Sequence, residues 1–147
     1  MNPRDPHEIA PEEAVAVGAG LLARWRSLAV ATRDGRVGAA LIGAFFGMGR
    51  GDEHDLEATA VDVAAYLGHL AEREGGDFAE ICAAAEAAPA GGGEPLAAEL
   101  PVLAAVGRAL IDLRDYCGQA GLSFADVARI AAGHVRAEVG NAAPGPR

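Results

Sequence analysis

Twice in this chain an apolar run of helical period stops at a glycine turn and restarts at a capping residue. The first copy reads TAVDVAAYLGHL at 59–70, breaks at Gly75-Gly76 and resumes as Asp77-Phe-Ala-Glu80. The second reads ALIDLRDYCGQA at 109–120, breaks at Gly121 and resumes as Ser123-Phe-Ala-Asp126. An Asp or Ser followed three residues on by an acid gives the unpaired N–H groups of a new helix an acceptor. Each copy is therefore an αα-hairpin: a long helix, a tight turn and a capped second helix. Asp62 falls on Asp112, Tyr66 on Tyr116 and Gly68 on Gly118; the second copy is four residues shorter before Phe78-Ala79 meets Phe124-Ala125. The repeat spans residues 55–88 and 105–138. If it is a duplication, one chain holds two hairpins as a pseudo-symmetric bundle; in so Ala-rich a chain, chance is the competing account.

Composition agrees with helices. Of 147 residues 35 are Ala and 20 Gly, and only 5% are aromatic. Ala has the highest helix propensity, and small side chains let helix backbones approach closely. All 12 basic residues are Arg, the skew of a GC-rich, bacterial-type genome. The expected fold class is all-α: a bundle of about five or six helices containing the two hairpins, with no strand signalled.

Along the chain, residues 1–10 are expected to form a tail, residues 11–139 one helical domain with a linker at about 88–95, and residues 140–147 a second tail. Pro11-Glu12-Glu13 suits a first helical turn, where Pro is tolerated and acids meet the positive end of the helix. Helix 1 should reach about Thr32. The Arg33-Asp34-Gly35-Arg36 segment reads as a turn between helices, with a β-hairpin as the competing reading. A second helix should end at the GMGRG of 47–51. The third is expected over 52–74. A later helix should run from about Leu96 to Ala120, interrupted near Pro101, and the last from about Phe124 to Val139.

The net charge of -9 sits almost wholly in the middle third, where residues 51–100 hold twelve acids against Arg73 alone. Such a field repels phosphates and anionic lipid, which argues against nucleic acid and membrane as partners. It suits a divalent cation, which reverses the local sign and accepts a phosphate. A solvated acidic surface is the plainer account. The longest apolar run, residues 37–48, is far short of the ~20 residues a bilayer requires. Without an apolar signal stretch in MNPRDPHEIAPEE, the cytoplasm is the default expectation. Cys82 and Cys117 lack metal-ligand spacing and read as reduced core residues.

The densest acidic stretch is Gly51-Asp-Glu-His-Asp-Leu-Glu57, continuing to Asp62. On a helix, Asp55, Thr59, Asp62 and Tyr66 share one face. Two carboxylates so placed can supply ligands to Mg²⁺, given more from a facing helix, where Asp112 and Asp115 stand three apart. Acids drawn to a helix N-terminus explain the same pattern without a metal. His54, His69 and His134 lack a partner at ligand spacing, and Ser123 is better explained as a cap. The GMGRG glycines lack the Lys-Ser/Thr of a phosphate loop. Trp25 between two Arg could stack a base, but a half-buried anchor for helix 1 is the expectation.

The stretch from Thr59 through Asp62, Tyr66, the glycine turn and Asp77 to Glu80 resembles the third and fourth helices of the MazG-like all-α NTP pyrophosphohydrolases. That family shows a Glu-x-x-Asp helix running into an apolar-Tyr-Leu segment, a glycine turn and a capped helix. Residues 33–88 carry the resemblance, and 100–138 echo it. The resemblance implies a helical bundle, usually a dimer, whose acidic side chains hold Mg²⁺ against a nucleoside triphosphate while water releases pyrophosphate. Phosphoryl chemistry of that kind needs several carboxylates from two helices. It would make Asp62 and Asp112 catalytic and Mg²⁺ ligands, with Asp55 and Glu57 standing in for missing acids and Asp115 adding a ligand from the facing repeat. Several acids of the pattern are missing: Thr32, Arg33 and Arg36 stand near the expected Glu-Glu-x-x-Glu, and Thr59 and Ala109 replace the Glu of Glu-x-x-Asp.

The expectation is a divergent MazG-like protein hydrolysing a nucleoside triphosphate or a related phosphorylated small molecule to a monophosphate and pyrophosphate, with Mg²⁺. The alternative is a non-catalytic helical dimer serving as a binding or accessory module. Few bulky residues and a Gly43-x-x-x-Gly47 pair point to a homodimer. Leu21, Leu22, Trp25, Leu41, Ile42, Phe45, Phe46, Val63, Tyr66, Leu67, Leu70, Ile111 and Tyr116 are the expected core or interface.

Overall fold

The computed structural model describes residues 11–31, 37–88 and 100–142, and among them it is helical throughout, with no strand. Six helices follow in order: α1 Pro11–Ala31, α2 Val37–Gly47, α3 Leu56–Arg73, α4 Phe78–Ala87, α5 Val102–Gln119 and α6 Phe124–Ala142. The expected N-terminal tail, the turn or hairpin at 33–36, most of the linker at 88–95 and the last five residues lie outside the described residues.

Both hairpin turns close in the same way. Gly75 and Gly121 adopt the left-handed conformation at φ 87° and 77°. The following N–H groups then turn back: Gly76 N donates to Ala71 O at 2.9 Å and Leu122 N to Cys117 O at 2.8 Å. This is the six-to-one bond of a Schellman ending, which satisfies the last carbonyls of α3 and α5. The next helices start on the two expected caps. Asp77 accepts from Glu80 N at 3.3 Å, and Ser123 Oγ from Asp126 N at 3.2 Å.

Three boundaries differ from the sequence reading. α3 begins at Leu56, not residue 52, because Asp52 turns the chain first. Its carboxylate accepts from His54 N at 2.8 Å, and Asp55 then caps the helix by accepting from Ala58 N at 2.9 Å. Thr59 fastens that turn: its hydroxyl accepts from Asp52 N at 2.9 Å and lies 3.0 Å from Asp52 O. Pro101 is the N-cap of α5 and so starts that helix instead of interrupting it. Helix α6 continues three residues past Val139, to Ala142.

α3 is the centre of the bundle. Every residue from 59 to 71 except Asp62 is buried. α1 lies along one side of it and α6 along another, while α2 packs on α1 and α5. The hairpins interlock: α4 packs mainly on α5, and α6 mainly on α3, so each second helix serves the other hairpin. Close approach depends on two glycines. A Cβ on Gly18 would sit 2.2 Å from the Tyr66 carbonyl oxygen, and one on Gly68 would meet Phe78 at 2.7 Å and Val135 at 2.8 Å. Of the thirteen expected core residues eleven are buried, while Phe46 and Tyr116 pack partly buried against them.

Candidate functional site

The five candidate carboxylates are dispersed over three settings. Asp55 is exposed and committed to the α3 cap, and Glu57 is exposed in the first turn. The face expected to carry Asp55, Thr59, Asp62 and Tyr66 is therefore divided among different surroundings. Asp55 lies before the helix, Thr59 is buried at 1% exposure and Tyr66 belongs to the core. Asp62 is half-buried on α3.

Asp112 and Asp115 are half-buried on α5, which packs against α1, α3 and α4. Asp112 Oδ2 accepts from the indole Nε1 of Trp25 at 2.6 Å, a bond joining residues 87 apart in the chain. Burial raises the Asp112 carboxyl above the ordinary Asp range. The Trp25 bond, Arg108 and Arg114 oppose that shift, and Asp115 adds to it. Asp115 is claimed by Arg114, whose Nη2 reaches Oδ1 at 2.9 Å. The same guanidinium donates to Ala85 O at 2.8 Å and to Ala88 O, closing the end of α4, a helix with no basic residue in its own last turn.

A Mg²⁺ site built on these groups needs several free oxygens converging from two helices. On three of the five candidates one oxygen is already engaged. Asp55 serves a helix end, Asp115 an arginine and Asp112 an indole N–H. Among the described residues no three His, Cys, Asp or Glu side chains come together to hold a metal.

Other sequence candidates also have structural tasks. Trp25 is 2% exposed, so its ring anchors α1 and is closed to base stacking. In the GMGRG turn, Arg50 donates to the Tyr66 hydroxyl at 3.1 Å, with its guanidinium 5.5 Å from the ring centroid. It also pairs with Glu13 at 3.4 Å. The loop thus ties α1 to α3. Cys82 and Cys117 are buried free thiols, pushed up by desolvation to about 12 and about 11, which keeps them protonated and unreactive. His54 is exposed, His69 buried and His134 half-buried.

Sequence reasoning missed one feature. A groove of about 350 Å³ opens where the end of α3, the start of α4 and the second half of α6 meet. Glu72, Gly76, Asp77, Phe78, Ala79, Ala132, Val135 and Arg136 line it. The available signal was charge at the turn: the first hairpin carries Glu72 and Asp77 where the second, aligned on its turn, has Gly118 and Ser123.

Among the described residues no helix is long and apolar enough to cross a membrane. Compared with known proteins, the chain matches no family model, no curated protein and no solved structure.

Proposed function

We propose that this chain is a non-catalytic helical binding or accessory module built on a MazG-like scaffold, forming a homodimer, in which the carboxylates of a former metal site have become structural. The observation that carries this reading is the 2.6 Å bond from the buried Trp25 indole to Asp112. A carboxylate that a metal is to use must turn free lone pairs towards it, with neighbours that raise the local negative charge. Asp112 instead faces an indole N–H and has Arg108 and Arg114 beside it. The substitution of Thr59 for the Glu of the family pattern fits the same reading, since that hydroxyl now fastens the Asp52 turn.

The second reading, a divergent Mg²⁺-dependent pyrophosphohydrolase, has one observation in its favour. Asp112 and Asp115 are neighbouring half-buried carboxylates, and burial lifts the carboxyl of the first. Perturbed carboxylates of that kind cluster at functional sites. The two readings separate in an assay of pyrophosphate release from NTPs and dNTPs with Mg²⁺ or Mn²⁺. The module predicts no release above the protein-free blank. Metal-dependent release that Asp112→Asn or Asp62→Asn lowers by about 100-fold or more would establish the hydrolase instead.

A further inference from the structure

The groove between α3, α4 and α6 has a charge arrangement that the turn beside it does not require. Its apolar lining is open at Ala79 and Ala132, while Phe78 and Val135, at 1% and 3% exposure, close it off below. Glu72 and Asp77 line it from the α3–α4 side and Arg136 from α6. Opposite charges thus share one groove without neutralising each other, for Arg136 makes no hydrogen bond or ion pair with any described residue.

Both acids have structural duties that leave oxygens over. Glu72 Oε2 accepts from Phe78 N at 2.7 Å, and Asp77 Oδ1 accepts from Glu80 N. Each carboxylate retains its other oxygen for a donor. The hairpin turn itself needs neither charge. In the second hairpin Ser123 caps α6 with a neutral hydroxyl, and Gly118 stands where Glu72 would be.

We propose that this groove binds a small zwitterion, an aliphatic α-amino acid. Its ammonium would meet Glu72 and Asp77, its carboxylate Arg136, and its side chain the Ala79 and Ala132 methyls. An ammonium offers three donors to the acids, and a guanidinium takes a carboxylate in fork geometry. The volume lies near the lower end of small-ligand pockets, which run from about 300 to 1,000 Å³. Other ligand classes fit less well. A phosphate meets two acids, and the Phe78 N–H it would seek is occupied. A polyamine meets Arg136. A purely apolar molecule covers three charges and compensates none.

This inference gives the binding module a ligand and rests on that reading. Pyrophosphate release tests the reading, whereas the following titration tests the groove alone. The full chain, labelled with ¹⁵N, is titrated with L-leucine, with leucinol, which lacks the carboxylate, and with 4-methylpentanoate, which lacks the ammonium. Leucine should give saturable amide shifts confined to residues 72–79 and 132–136. Each one-charge analogue should bind about ten-fold or more weakly. Arg136→Gln is an exposed change, and Glu72→Gln keeps an acceptor for Phe78 N. Both should fold, as their amide spectra will report, and each should weaken leucine about ten-fold. Absence of saturable shifts with leucine overturns the proposal. So does equal binding of the three molecules, or unchanged binding in both variants.

Discussion

α3 and α5 carry matching sequence in unlike surroundings. Apart from Asp62, α3 is buried along residues 59–71, enclosed by α1 on one side and α6 on another. α5 buries Ala105, Val106, Ala109, Leu110, Leu113 and Cys117 at similar intervals, yet leaves Arg108, Asp112, Arg114, Asp115 and Tyr116 half-buried. The four residues missing from the second copy correspond to one turn of helix, about 6 Å of rise. Asp112 consequently lies one turn nearer its hairpin end than Asp62 does. Equal letters in the two copies keep their helix face but change their height in the bundle. Asp112 bonds to Trp25, and Gly118 is exposed where Gly68 is enclosed.

The largest effect expected from this contrast is at the paired glycines. Gly68→Ala drives a methyl into Phe78 and Val135, both held in the core, and should cost about 2–3 kcal/mol. Gly118→Ala meets no atom within 4 Å and should stabilise the chain by about 0.5 kcal/mol through helix propensity. Thermal or urea unfolding of the two variants compares the copies directly. Similar losses at both sites would mean that α5 is as enclosed as α3.

A smaller effect is expected at the arginines of the second hairpin. Arg114→Ala removes donors to Ala85 O and Ala88 O and releases Asp115, a loss of about 1.5–3 kcal/mol. Arg129 pairs with Asp126 at 3.3 Å across exposed positions, so Arg129→Ala should change stability by less than about 0.5 kcal/mol. Urea unfolding midpoints should rank them in that order. A large effect at Arg129 with none at Arg114 would contradict the view that α5's polar side holds α4 in place.

The local parts of this fold were legible in the sequence. The glycine turns and the caps at Asp77 and Ser123 are set by residues within a few positions of one another, where chain chemistry acts directly. The start of α3 was harder to read, because Asp52 and Asp55 have spacing that a helix or a capped turn accepts equally well. Thr59 decided between them by bonding back to Asp52. The fate of the candidate carboxylates was not legible, since it depends on distant partners: Trp25 lies 87 residues from Asp112, and Ala85 lies 29 from Arg114. Arg136 is far from Glu72 in the chain, and only the packing of α6 on α3 brings both to one groove.

Trp25 is the only tryptophan in the chain, so its indole proton gives one resolved signal beside the Asp112 carboxylate. Paramagnetic Mn²⁺, a close substitute for Mg²⁺ at carboxylate sites, broadens protons the more strongly the nearer they lie to where it binds. Titrated to about 1 mM, a concentration that would populate a site of ordinary millimolar-or-better affinity, Mn²⁺ should broaden the indole signal no earlier than the amides of the exposed acidic turn at 52–57 if Asp112 is a structural acceptor. Selective loss of that signal at low Mn²⁺, reversed by excess Mg²⁺, would place a metal on Asp112 and contradict the account.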